Sequence, residues 1–165
     1  MLVLVGWLSG CTGSGARSTG DSPAHSAGSP GAPGATAVEA NATLERVVDG
    51  DTIIAVIGGE RTRVRMIGFD TPESVDPRRP VECYGKEASA HLASLIRPGD
   101  GLRLERDAEE HDRYGRTLAY VYRAGDGLFL NVRMVSDGYA HVLTIPPNVT
   151  HAEEFRTAER AARTA

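Results

Sequence analysis

From Leu44 onward, apolar and polar positions alternate in short runs separated by turns that contain Gly or Pro. Arg61, Arg63 and Arg65 fall on one side of one run, and Thr62, Val64 and Met66 on the other. That is the period of a half-buried strand. The pattern predicts strands over 45–48, 52–57 and 61–69. Asp49-Gly50 sits between two β-branched runs, a hairpin signal, and Gly58-Gly59-Glu60 makes the next turn, so the three strands form a meander. Gly68 marks a bulge or a close backbone approach. Pro72 lacks a donor and biases Thr71 toward an extended conformation, so the strand ends there. A helix follows over 84–97, with Ala88, Leu92, Leu95 and Ile96 on one stripe, and Pro98-Gly99 stops it. His91 lies off that stripe and is expected to be exposed. Further strands read over 101–107 and 117–123. Asn131 is placed to cap a short helix that ends at Gly138. Thr150-His151-Ala152-Glu153 reads as a capping box for a last helix, with Phe155, Ala158 and Ala162 facing inward. Five strands and about three helices in this order match a β-rich α+β fold, a five-stranded Greek-key barrel of the OB type.

The N-terminal part reads differently. Met1 to Leu8 is an apolar run, too short to span a membrane and followed by the small residues Ser9-Gly10 and then Cys11, the pattern of a secretory signal. The stretch after it, to Ala42, is rich in Gly, Ser, Ala, Pro and Thr, which excludes a packed core and predicts a flexible tether. The expected organisation is a signal over 1–10, a linker over 11–43 and one domain over 44–165. A chain of 165 residues suits that count. Net charge is −4, and Lys86 is the single lysine. A broad basic surface is thereby excluded, so any grip on nucleic acid must come from local arginines. Cys11 and Cys83 give no disulfide framework, and Cys83 reads as a small buried apolar residue.

Candidate chemistry gathers at predicted strand ends. Asp51 follows the first tight turn, Arg65 precedes Asp70 and Glu73, and Arg116 precedes the fifth strand. Carboxylates suit an oxygen-loving cation, and guanidinium forks bind phosphate at two points. Taken singly, each stretch also fits a charged turn after an edge strand, and Arg78 and Arg79 fit solvated charge.

Four segments appear in one order: Val48-Asp49-Gly50-Asp51-Thr52, Arg65 to Glu73, Tyr84-Gly85-Lys86-Glu87-Ala88-Ser89, and Asp112-Arg113-Tyr114-Gly115-Arg116. With them the chain, from about Leu44 to its C-terminus, resembles the thermonuclease (staphylococcal nuclease-like) family. The resemblance implies the OB-type barrel and Ca²⁺-dependent cleavage of DNA and RNA to 3′-phosphates by a monomeric domain. It also implies that Asp51, Asp70 and the carbonyl of Thr71 bind Ca²⁺, and that Arg65 and Arg116 clamp the scissile phosphate. Glu73 would orient or deprotonate the attacking water, and Arg113 and Tyr114 would hold a neighbouring terminal phosphate. Arg113 stands where the family usually has lysine. Leu143 and Ile145 stand where its best-known members carry base-stacking tyrosines, a contact worth about 1–3 kcal/mol per base. Leu8-Ser9-Gly10-Cys11 resembles the bacterial lipoprotein signal box, which implies a lipidated Cys11 and the outer face of the cell membrane as partner, although no Lys or Arg precedes the apolar run. A different class also fits, a nucleic-acid-binding OB module that has lost catalysis. The complete catalytic set favours the enzyme.

Overall fold

Thr52 to Ile57 is an apolar, β-branched run, and it forms the middle strand of a meander, where such residues pack on both sides. The computed structural model describes residues 36–72 and 84–164. In it, β1 (Ala42–Asp49), β2 (Thr52–Ile57) and β3 (Glu60–Met66) pair antiparallel in sequence order. Next come β4 (Gly68–Asp70), α1 (Gly85–Leu95), β5 (Gly101–Glu105), β6 (Thr117–Arg123) and β7 (Leu128–Phe129). The chain ends with α2 (Leu130–Ser136), β8 (His141–Leu143) and α3 (Ala152–Ala162). β5 joins β1 to β6, and β3 pairs with β6 in parallel, which closes a five-stranded mixed barrel. The OB-type barrel with three helices is thus the observed fold. β7 is a short hairpin arm on β6, and β4 pairs with β8 as a separate ribbon.

Leu44, Ile53, Val64, Met66, Leu102 and Val121 fill the barrel from its strands, and Leu92, Met134 and Phe155 close it from the three helices. The long third strand expected over 61–69 is broken. Gly68 has φ +91°, and a Cβ there would lie 2.1 Å from the Phe155 ring, so the backbone turns under α3 and resumes as β4. The domain also begins before Leu44, inside the expected linker. Val38 N–H donates to the Ala124 carbonyl at 2.9 Å, and the Asn41 amide bonds the Leu104 carbonyl and N–H at 2.9 and 2.8 Å. Main-chain pairing, which composition does not report, extends the order past the apolar alternation.

Three local expectations are corrected by tertiary contacts. Asn131 lies within α2, fully buried, and caps nothing. Its Oδ1 accepts from Val121 N–H at 2.8 Å and its Nδ2 donates to the Ile67 carbonyl at 2.9 Å, which satisfies barrel groups the sheet leaves open. The capping box is absent. Thr150 Oγ1 donates to Asp107 Oδ1 at 2.9 Å, and Glu153 pairs with Arg156 at 3.1 Å. His91 is covered, stacked on Tyr139 with ring centroids 4.0 Å apart and 2.8 Å from Asp137 Oδ2. Asn131→Ala takes this partner from the buried Val121 N–H and the part-buried Ile67 carbonyl and is expected to lower stability by about 1–3 kcal/mol, read as a lower urea midpoint. An unchanged midpoint would show that water or relaxation satisfies both.

Candidate functional site

Barrel register assembles the site. Thr52 pairs with Arg65 across β2 and β3, so Asp51 lies beside the end of β3. On the other flank Arg65 pairs with Leu118 in the parallel β3–β6 closure, which brings Arg116 to the same place. The β4–β8 ribbon sets Asp70 opposite His141 and Gly68 opposite Leu143. Between these elements lies a cleft of about 200 Å³, lined among others by Arg65, Arg116, Ile67, Glu109, Leu143 and Ile145.

Arg65 links two carboxylates. Its Nη1 pairs with Asp51 Oδ2, and its Nη2 donates to Asp70 Oδ1 at 2.5 Å. Burial pulls the Arg65 guanidinium below its usual pKa, and the hydrogen bond and charge of Asp70 oppose that shift. Asp51 is buried and also accepts hydroxyl donors, Thr52 Oγ1 at 2.9 Å and Thr71 Oγ1 at 3.1 Å. The turn between β1 and β2 is Gly50-Asp51, one place on from the expected Asp49-Gly50, and it fits beneath Thr71 only because Gly50 has no side chain: a Cβ there would lie 2.8 Å from Thr71 Oγ1 and 2.9 Å from the Ala88 Cβ. His141 Nε2 is 3.9 Å from Asp70 Oδ2.

Two carboxylates bridged by one guanidinium form a donor set that calls for positive charge. Its protein donors are oxygens, which fits a hard divalent cation. Among the described residues, no cluster of three or more His, Cys, Asp and Glu side chains suited to a metal is present.

Arg116 is set by its loop. Its Nε donates to Asp112 Oδ2 at 2.6 Å, and its terminal nitrogens make no hydrogen bond or ion pair with the described residues. Burial pushes the Asp112 carboxyl up, but hydrogen bonds from Arg116 and the Tyr114 N–H outweigh it and hold it below the usual carboxylate range. The Tyr114 ring is exposed. Arg113 and Arg116 lie 4.8 and 5.6 Å from its centroid, and Arg113 Nη2 donates to its hydroxyl at 2.6 Å.

The structure therefore brings Arg65, Asp51, Asp70, Thr71 and Arg116 together, with Leu143 and Ile145 on the wall of the same cleft. Glu73, Arg78, Arg79, Cys83 and Cys11 lie outside the described residues, as does the apolar run at the N-terminus. Sequence reasoning missed Asp112, Glu109, His141 and Asn148. Asp112 carried a signal, an aspartate able to bond the backbone two residues on. Asn148 accepts from the Glu109 N–H at 2.8 Å and donates to its carbonyl at 3.0 Å, a pairing between distant segments that no local pattern reports. His141 carried none, because its neighbour is set by ribbon register.

A closed OB-type barrel with arginines and carboxylates around an apolar cleft is a phosphate-handling site. Residues 63–165 match the family model described as staphylococcal nuclease homologue. The chain is 44% identical over 120 residues to the thermonuclease of Staphylococcus intermedius, covering 73% of this chain and 70% of that protein. The thermonuclease of Staphylococcus hyicus is 44% identical over 118 residues, 72% of this chain and 68% of its own length. Endonuclease YncB of Bacillus subtilis (strain 168) is 38% identical over 125 residues, 74% of this chain and 58% of that protein. The chain belongs to the staphylococcal nuclease family and is a nuclease, a hydrolase.

Proposed function

We propose that the protein is a Ca²⁺-dependent nuclease that works outside the cytoplasm and hydrolyses phosphodiester bonds of DNA and RNA to leave 3′-phosphates. The convergence of Arg65 and Arg116 on a cleft beside the Asp51–Asp70 pair carries this reading. Asp51, Asp70 and the Thr71 carbonyl would hold the cation, taking over the charge role that Arg65 fills between the two carboxylates. Bound there, it would supply positive charge against the developing charge of the phosphate oxygens. Arg65 and Arg116 form hydrogen-bonded forks on the scissile phosphate. Glu73 orients or deprotonates the attacking water. Arg113 and Tyr114 take the neighbouring terminal phosphate, and Leu143 and Ile145 give the base an apolar bed in place of a stack.

The test is digestion of plasmid DNA and of RNA in Ca²⁺, in Mg²⁺ and in EDTA, with end-group analysis of the products. Cleavage in Ca²⁺ that vanishes in EDTA is expected. Mg²⁺ should support less, because it demands tighter octahedral geometry. Full activity in EDTA would overturn the metal assignment, and binding without cleavage in Ca²⁺ would make the protein a binding module.

Location is proposed from the N-terminal sequence: lipidation of Cys11, with the domain tethered to the outer face of the cell membrane. The expressed precursor should incorporate palmitate and fractionate with membranes, and Cys11→Ser should abolish the labelling. Equal labelling of that variant would refute the anchor.

A further inference from the structure

We infer that Asp112 is the positioning residue for Arg116, presenting its terminal guanidinium nitrogens to the phosphate. This rests on the proposed role of Arg116 at the phosphate. One carboxylate receives three donors from the segment it precedes. Asp112 Oδ1 accepts the N–H groups of Tyr114 and Arg116, both at 2.9 Å, and Oδ2 accepts Arg116 Nε at 2.6 Å. The main chain closes the same loop, with Asp112 N–H donating to the Arg116 carbonyl at 3.1 Å and Gly115 N–H to the Asp112 carbonyl at 2.9 Å. Backbone and side chain of Arg116 are thus fixed from one point.

The division of the guanidinium follows. Its Nε–H is spent on Asp112, and the four remaining N–H groups sit on the terminal nitrogens, the edge that grips a phosphate at two points. Both side chains of the pair are largely sheltered, at 27% exposure for Arg116 and 17% for Asp112. An arginine already held gives up less rotamer freedom when the phosphate arrives. The contribution is orientation and not charge, since a carboxylate near a phosphate is itself repulsive.

That opposition gives a discriminating signature. Asp112→Asn retains a carbonyl oxygen for the Tyr114 and Arg116 N–H groups, so the loop keeps its scaffold. The amide nitrogen replaces Oδ2 and cannot accept from Arg116 Nε. Removing negative charge favours substrate binding, so KM should stay level or fall. Loss of orientation should lower kcat by roughly ten- to a hundredfold. In an Arg116→Ala background the same substitution should have little further effect on kcat. The Arg116 Nε–H signal in ¹H–¹⁵N spectra of the substrate-free protein should be exchange-protected in the parent and lost in Asp112→Asn. Should the asparagine variant not fold, Asp112→Glu repeats the test with the acceptor displaced by one methylene.

A kcat retained within about twofold, well short of the loss expected for misplaced groups, would overturn the inference. An equal kcat loss with and without Arg116 would overturn it as well, because Asp112 would then act by another route. An Arg116→Ala variant with parental kcat would instead remove the phosphate role of Arg116, a different failure.

Discussion

Arg116→Ala is expected to lower kcat by about 10²–10³-fold, the loss typical of one preorganised electrostatic donor, while KM moves far less. The asymmetry follows from when the contact matters. Charge on the phosphate oxygens grows on the way to the transition state, so a fixed guanidinium stabilises that state more than the bound substrate. Arg116 suits the experiment because its protein partner, Asp112, keeps the Tyr114 N–H and the residue-116 N–H as donors when the guanidinium is removed. Arg65 is less clean, since removing it leaves the buried Asp51 unpaired beside Asp70 and lowers stability as well as rate. Arg116→Lys is expected to be nearly as poor as alanine, because an ammonium cannot keep the Asp112 bond and also make a two-point phosphate contact. Leu143→Ala and Ile145→Ala are the internal controls. Both residues line the cleft, and as an apolar bed for the base they should affect KM and spare kcat. Rapid-mixing kinetics at saturating substrate and Ca²⁺ give the measurement. Near-parental kcat for Arg116→Lys, with chemistry rate-limiting, would remove Arg116 from the phosphate.

What could be read from the sequence, and what could not, divides along physical lines. Alternation along 61–66 reports which side of a strand meets the core, and Val64 and Met66 are buried as the period requires. The hairpin after Asp49 was legible because Asp-Gly between two β-branched runs marks a turn, although the two loop residues are Gly50 and Asp51, one place on from the expected pair. The parallel pairing of β3 with β6 was not, although it brings Arg116 beside Arg65, because pairing partners far apart in sequence leave no local period. Single polar residues misled for a related reason. Asn131 and Thr150 carry strong capping propensity, but each found a tertiary partner, the open backbone groups of the barrel for one and Asp107 for the other. His91 sits off the apolar stripe of α1, where helical periodicity predicts water. Tyr139 and Asp137, from beyond the end of α2, cover it instead. The site lies where these non-local decisions meet, so its residue types were readable and its neighbours Glu109 and His141 were not, while Asp112 carried only its local turn signal.

Gly68→Ala is expected to destabilise the domain on the order of 4 kcal/mol, from two separate causes. The backbone at Gly68 has φ +91°, a region that residues with a Cβ seldom adopt. The added methyl would also lie 2.1 Å from Phe155 Cε2 and 2.4 Å from its Cζ, inside van der Waals contact with a ring that is 1% exposed. Phe155 anchors α3 to the core, so relief requires α3 to move away or β4 to shift. Either displacement reaches the site, because β4 carries Asp70 and pairs Gly68 with Leu143. A domain of this size is worth only about 5–15 kcal/mol in total, so the variant should remain folded in the cold and melt on the order of 10 °C or more below the parent. Phe155→Leu separates the two causes. It costs stability by itself, yet it removes the ring atoms the methyl would strike, so the double variant should lose clearly less than the sum of the single losses. The backbone strain remains in both backgrounds, so the relief should be partial. Strict additivity in urea unfolding would show that the Phe155 contact contributes nothing and that the glycine is required for its backbone alone.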